Sequence, residues 1–335
     1  MLLGLALTAC GTGGTRHASI ELDGSTMGTT YSIKVVDPPA DVHRDTLAAM
    51  VDAELTGLLQ KLSTYDPASE LSRFNQSRET DWVAASGEMV EVLGEARQVS
   101  ELTGGAFDVT VGPLVDLWGF GPVLTGDRIP SDAEIEALQA HIGFRNIEVR
   151  TAPPAIRKLD PDNRIDLSAI AKGYAVDRLA LLLESRGISS YLVEIGGELR
   201  GRGHNPSGDH WRIGVERPVS GERAVHDVIT IDNVGVATSG DYRNYFEQDG
   251  QRYSHTIDPS TGRPVTHTLA AVTVISPRTM RADALATALM VMGPDAGYAL
   301  ADREGLAALF IVRSANGFVD RYTSAYNSHR IDRKT

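Results

Sequence analysis

A chain of 335 residues with 42% hydrophobic and 23% charged residues can bury a sizeable core and has the composition of a globular protein. Its formal net charge of −12 argues against a nucleic-acid partner, because phosphate backbones select Lys/Arg-rich surfaces. Cys10 is the only cysteine, which excludes an internal disulfide and a multi-thiolate zinc site.

The chain opens on MLLGLALTAC, an apolar run too short to span a bilayer. Small residues before Cys10 and GTGGT after it match the end of a bacterial lipoprotein signal, although no Lys or Arg precedes the run. On that reading residues 1–9 are a signal remnant and residues 10–18 are a lipidated Cys10 with a flexible tether. Residues 19–325 form the folded domain, and 326–335 are a tail. Residues 32–36 alternate as a strand, and 41–62 and 88–103 have helical periodicity. Ser131 and Glu134 form a capping box that starts a third helix, ending near Gly143. The Pro/Asp-rich segment 152–164 reads as a loop between two lobes. An amphipathic helix over 169–186 closes on Gly187 as its C′ residue. Strands follow at 191–194, 211–216, 228–231, 253–257 and 270–275, then a helix over 280–292 and strands at 308–312 and 318–322. Short turns between successive strands favour antiparallel pairing. The expected class is α+β, with mostly antiparallel sheets flanked by helices.

Several segments carry candidate chemistry. In SHTIDPSTGRPV (254–265), His255 precedes a turn punctuated by Asp258-Pro259 and Thr261-Gly262, which places it at a strand end. In ADALATALMVMG (282–293), Asp283 and Thr287 are four apart and share one helix face. Their oxygens suit a hard cation such as Mg²⁺, while an acid in a first helical turn also serves the helix dipole alone. IDLSAIAKGYAVDRL (165–179) sets Asp166 and Ser168 before a helix bearing Lys172. That helix start could hold a phosphate, or Ser168 could be a plain N-cap. TGGAFDVTVGPLVDLWGFG (103–121) places aromatics among glycines, suited to a planar ring or to core packing. No P-loop and no strand-to-helix GxGxxG is present, so a nucleotide would be held by another device.

Taken together these segments resemble the ApbE-type FAD:protein FMN transferases. The matching stretches are STMGTTYSIKV (25–35), LSTYDPASELSRFN (62–75), GGAFDVTVGPLVDLWGFG, IDLSAIAKGYAVD, VEIGGELRGRG (193–203), VATSGDYRNYF (236–246), SHTIDPSTGRPV and ADALATALMVMG, in family order. The resemblance implies a T-fold-related architecture and a lipid-anchored enzyme on the cell membrane, facing the periplasm. Its reaction would split FAD and join FMN, through its phosphate, to a Thr or Ser of a target protein, releasing AMP. It implies Met27, Tyr65, Ala106, Phe107, Asp108, Asp166, Lys172 and Ile257 around FAD. It implies Asp283, Thr287 and the Ala169 carbonyl on Mg²⁺, and His255 as the catalytic base. Some relatives carry a second carboxylate where this chain has Ala286. The implied acceptor is a protein with a D-G-x-x-[S/T]-G-[A/S]-T motif. An FAD pyrophosphatase yielding FMN and AMP, and a non-catalytic flavin-binding lipoprotein, are the competing expectations.

Overall fold

Period-two alternation of apolar residues builds the centre of the fold. Eight strands form one sheet: β1 (Ser19–Thr26), β2 (Thr29–Val36), β3 (Ser190–Ile195), β4 (Glu198–Arg202), β5 (Val234–Gly240), β6 (Leu269–Ser276), β7 (Ala307–Ser314) and β8 (Gly317–Tyr322). Their order across the sheet is their order along the chain, and every neighbouring pair is antiparallel. Met27-Gly28 links β1 to β2 and Gly196-Gly197 links β3 to β4; all four residues have positive φ, as tight two-residue hairpins require. This structure, a computed structural model, describes residues 17–121, 128–219, 221, 224–242, 244–248 and 250–331. The expected signal remnant, Cys10 and most of the tether lie outside the described residues.

Both faces of the sheet are covered. Ile33, Val35, Val193, Val272, Val274 and Phe310 share a core with four helices: α1 (Arg44–Leu62), α2 (Gly87–Leu102), α3 (Ala171–Ser185) and α4 (Thr279–Arg303). The alternate residues Val36, Val236, Ala271, Ile275, Leu309 and Ile311 join a second core with Trp211, Val215, Ile229 and Ile231. The latter four come from a hairpin of strands Trp211–Glu216 and Val225–Ile231. β6 is therefore buried along its whole length. A third core unites Leu114, Trp118, Ile135, Phe246 and Ile257. Trp118 Nε1 donates to the Gly262 carbonyl at 2.8 Å, so this aromatic packs inward and ties its glycine-rich segment to the turn after His255.

The α+β class and the antiparallel pairing are as the sequence predicts, and the capping box at Ser131 and Glu134 forms. Gly187 closes α3: its N–H donates to Glu184 and that of Ile188 to Leu183, the Schellman pair. Four expectations are corrected. Segment 152–164 is not a loop, because Pro154–Lys158 is the middle strand of a three-stranded sheet with Ile147–Thr151 and Val83–Ala84. Residues 326–331 are not a tail: Tyr326 is fully buried in the second core, and the His329 carbonyl accepts from Thr230 N–H at 2.8 Å. The tether stops short of residue 18, whose carbonyl accepts from Asp37 N–H at 2.8 Å. The strand expected over 253–257 is two, Gln251–Ser254 and Ile257–Asp258, because the His255 N–H turns to the Asn244 carbonyl between them.

α4 runs on past its expected end, with non-helical backbone at Gly293 ahead of Pro294. Pro294 has no N–H for the Met290 carbonyl, and His267 Nε2 serves that carbonyl instead at 2.8 Å. The start of α4 is secured from α3. Buried Asp177 accepts the N–H groups of Thr279 at 2.9 Å and Met280 at 3.0 Å, and Arg200 donates to the same carboxylate at 3.1 Å. Asp177→Ala leaves two helix-start donors and a guanidinium short of a partner. We expect a loss of about 2–4 kcal/mol of unfolding free energy in urea denaturation; a loss under about 0.5 kcal/mol, the range of a neutral surface change, contradicts the capping role.

Candidate active site

α3, α4, the inner ends of β4 to β6 and the loop after Gly105 surround a cavity of about 480 Å³. Ala106, Phe107, Asp108, Asp166, Ala169, Lys172, His255, Ile257, Asp283 and Thr287 all line it, although they span nearly two hundred positions of sequence. Met27 is not among the lining residues; it sits in the β1–β2 turn and packs against the main core. Tyr65 also stands outside the lining and is 68% exposed. Partial desolvation and the carboxylates of Asp166 and Asp116 raise its phenol pKa.

The two helices meet at this cavity through a second capping contact. Asp283 Oδ2, on α4, accepts from Gly173 N–H in the first turn of α3 at 3.0 Å. That N–H lies in the first turn after the N-cap Ile170 and has no acceptor within α3. The contact needs a glycine: a Cβ at 173 would lie 2.5 Å from the Thr279 carbonyl oxygen and 2.8 Å from Asp283 Cβ. Thr287 Oγ1 lies one turn along α4, 3.1 Å from Ser239 Oγ of β5. Ala286 faces the core and is fully buried, so position 286 contributes no oxygen.

Charge around Asp283 is incompletely balanced. Burial raises its carboxyl pKa, against the opposing effect of Lys172 and of the Gly173 N–H. Lys172 Nζ pairs at 2.8 Å with Glu198 Oε2, the buried acid that starts β4. Burial, with Asp283 adding to it, pushes Glu198 up to about 7 although Lys172 pulls it down. Burial works against the Lys172 ammonium, but Asp283 and Glu198 outweigh it and raise its pKa. Two buried carboxylates share one lysine here, so ionising both leaves one negative charge for a further cation to offset, and burial without that cation raises both pKa values. With the Thr287 hydroxyl and the Ala169 carbonyl, the donors are all oxygen, which fits Mg²⁺ rather than a softer metal.

Asp166 and Asp108 also line the cavity. Asp166 Oδ1 accepts from both Ser168 N–H at 2.8 Å and Ser168 Oγ–H at 2.5 Å. Ser168 is therefore not the N-cap of α3; that position is Ile170, which has no side-chain cap. Asp108 accepts from Thr110 N–H, Thr110 Oγ–H and Phe144 N–H at 2.6–2.8 Å, which fixes the Phe107 wall. Burial raises its carboxyl pKa against the pull of those hydrogen bonds.

His255 is half-buried beside the cavity, edge-on to Phe120 at a centroid distance of 6.3 Å. Its Nδ1 is 3.0 Å from the Asn244 carbonyl. A carbonyl only accepts, so Nδ1 carries the hydrogen and Nε2 of the neutral ring keeps a lone pair. Burial, with a smaller push from Lys172, lowers its pKa, which favours that neutral form. Sequence reasoning missed Glu198, Asp177 and Ser239. Each lies inside a quoted motif, but only tertiary packing reveals what it touches.

An antiparallel sheet with helices on one face, and an oxygen-rich, ring-walled cavity between them, defines the class of protein. The family model described as the ApbE family matches residues 27–310, and the chain belongs to that family. A FAD:protein FMN transferase of Vibrio cholerae is 45% identical over 307 residues, covering 92% of this chain and 91% of the relative. One of Escherichia coli K12 is 41% identical over 316 residues, covering 93% and 90%. The structure of flavin transferase ApbE from Vibrio cholerae superposes with a TM-score of 0.87 at 43% identity, covering 93% of this chain and 99% of that one. The apo flavinyl transferase ApbE of Pseudomonas stutzeri gives 0.86 at 42% identity, covering 94% and 97%.

Alanine for glycine in a helix interior ordinarily gains up to about 1 kcal/mol. At Gly173 the sign should reverse, because the methyl group would push α3 off α4. Gly173→Ala is expected to lose about 1–3 kcal/mol in urea denaturation. A wild-type value would show that the close approach is unimportant.

Proposed function

We propose that this protein transfers FMN from FAD to the hydroxyl of a Thr or Ser on a separate protein, forming a phosphoester and releasing AMP. The observation that carries this reading is the convergence of His255, Lys172, Asp283 and Thr287 on one cavity that also has the Phe107 and Ile257 wall. Phe107 and Ile257 would hold the isoalloxazine ring, and Lys172 with the start of α3 would hold the pyrophosphate. The acceptor oxygen attacks the phosphorus of the FMN half as the bond to the AMP oxygen breaks. The acceptor proton passes to His255 Nε2, and AMP leaves with the bonding electron pair. No nucleophile from the protein is required. Mg²⁺, held by Asp283, Thr287 and the Ala169 carbonyl, would supply charge neutralisation for the pyrophosphate. Lys172 binds and orients the same charge, while Glu198 holds the lysine in place.

The acceptor is a different chain bearing D-G-x-x-[S/T]-G-[A/S]-T on an accessible loop. DGSTMGTT (23–30) in this protein approaches that pattern, but its backbone is committed to the β1–β2 hairpin, with Ser25 paired to Thr30. It cannot swing in line with a phosphorus atom. The proposed setting is the periplasmic face of the cell membrane, with Cys10 as the lipidated anchor. Support for it is the small-residue segment before Cys10 and the glycine-rich stretch after it.

Replacing His255 with Asn keeps a polar side chain but removes the base. Transfer should slow about 10²–10⁴-fold with FAD affinity retained. Because the His255 pKa is lowered, the ring is neutral at pH 7 and becomes protonated only at more acid pH. The wild-type rate should therefore fall as pH drops through that pKa, and the variant should lack this limb. Equal loss of FAD affinity and rate, with the limb intact, refutes the base assignment. Asp283→Ala should abolish Mg²⁺-dependent turnover while FAD still binds through its ring contacts. Normal FAD turnover by that variant at low Mg²⁺ would overturn the metal ligand set.

A further inference from the structure

Three chain segments end together at the edge of the sheet far from the cavity. His17 precedes β1, Asp37 follows β2, and His204 follows β4. The cavity is at the other end of these strands, where Gly196 and Gly197 turn β3 into β4. An eight-residue strand separates the two ends by roughly 25 Å. His17 Nδ1 lies 2.6 Å and His204 Nε2 lies 3.9 Å from the same Asp37 Oδ2, and the two imidazoles are 4.7 Å apart by centroid. The three ligand atoms lie within 4.8 Å of one another.

We propose that His17, Asp37 and His204 form a second metal site, one that takes a borderline divalent transition ion of the zinc class. Two imidazoles and one carboxylate are a donor set that such ions favour and that Mg²⁺ does not. The orientation of His204 carries the argument furthest. Its Nδ1 is 3.1 Å from the Asn205 carbonyl, which can only accept. Nδ1 therefore carries the hydrogen, which leaves Nε2, the atom that faces the Asp37 carboxylate, as the position that takes a proton or a metal ion. A backbone carbonyl on the far ring nitrogen is also how ligating histidines are typically held.

The supporting loop is already ordered. Asn205 Oδ1 accepts from Ser207 N–H at 2.8 Å, and Asn205 N–H donates to the Asp209 carbonyl at 2.8 Å. His204 also pairs with His210 as an isolated bridge. Asp37 holds a positive φ of 49°, and its N–H is fixed on the Ala18 carbonyl. Tetrahedral ligands at zinc distances lie about 3.3 Å apart. His204 Nε2 has to move about 0.6 Å closer to Asp37 Oδ2, the two imidazole nitrogens, within 4.8 Å of each other, have to close as well, and the short His17–Asp37 contact must open, which rotation of an Asp37 side chain 47% exposed allows. The bound ion would tie the segment before β1 to the ends of β2 and β4.

The test is a Co²⁺ titration of the full protein in saturating Mg²⁺, followed by ligand-field absorption, with Zn²⁺ competition by calorimetry. We expect one Zn²⁺-displaceable equivalent in the wild type. His204→Ala and Asp37→Asn should each weaken it ~10-fold or more. His141→Ala, in the other described His/Asp cluster, should leave it unchanged. Zn²⁺ should raise the thermal midpoint of the wild type but not of His204→Ala, and FMN transfer should be the same in both. Absence of saturable binding, or equal binding by wild type, His204→Ala and Asp37→Asn, overturns the proposal.

Discussion

The architecture of the site depends on an exchange of carboxylates between two helices. Asp177, on α3, caps the first turn of α4, and Asp283, on α4, accepts from the first turn of α3. Each acid lies four residues past the helix-start residue that serves the other helix: 173 to 177, and 279 to 283. The exchange requires the helices to be nearly in backbone contact, which a Cβ at Gly173 would block. Once they meet, Lys172 and Asp283 fall into one cavity, and Thr287 follows one turn later. The site is thus a consequence of how α3 and α4 are joined.

The two caps have different surroundings and different uses. Asp177 is matched by Arg200 and by two N–H donors, so its charge is spent on structure. Asp283 receives one N–H and shares Lys172 with Glu198. Its burial is costly without a further cation, which is the basis for the metal position proposed above. Asp108 and Asp166, by contrast, are engaged by nearby N–H and hydroxyl groups and shape the wall on which a ring can lie.

Much of this was legible in the sequence. The sequence pattern locates most of the central strands, though not Ser19–Thr26 or Val234–Gly240; the Ser131 capping box and the Gly187 terminus form as expected, and Asp283 and Thr287 both line the cavity as their i,i+4 spacing implies. What escaped was set by partners distant along the chain. β6 lies where a strand is expected, but nothing in its run names the hairpin that covers its second face. Pro and Asp in segment 152–164 suggested a loop, yet Pro154 only opens a strand whose middle is paired on both sides. Glu198 reads as an ordinary surface acid after Gly-Gly until Lys172, twenty-six positions earlier, is found beside it. Met27 and Tyr65 show the converse. Their motifs are present, but neither side chain lines the cavity.

The most direct measurement is intact-mass analysis after incubating the protein with FAD, Mg²⁺ and a candidate acceptor that carries the D-G-x-x-[S/T]-G-[A/S]-T motif. The convergence of His255, Lys172, Asp283 and Thr287 predicts an acceptor heavier by FMN minus water, with one AMP released per modification and no change in the mass of this chain. An unmodified acceptor accompanied by free FMN and AMP would mean that water is the nucleophile. Unchanged FAD would mean that the cavity only binds flavin, and either result would contradict transfer.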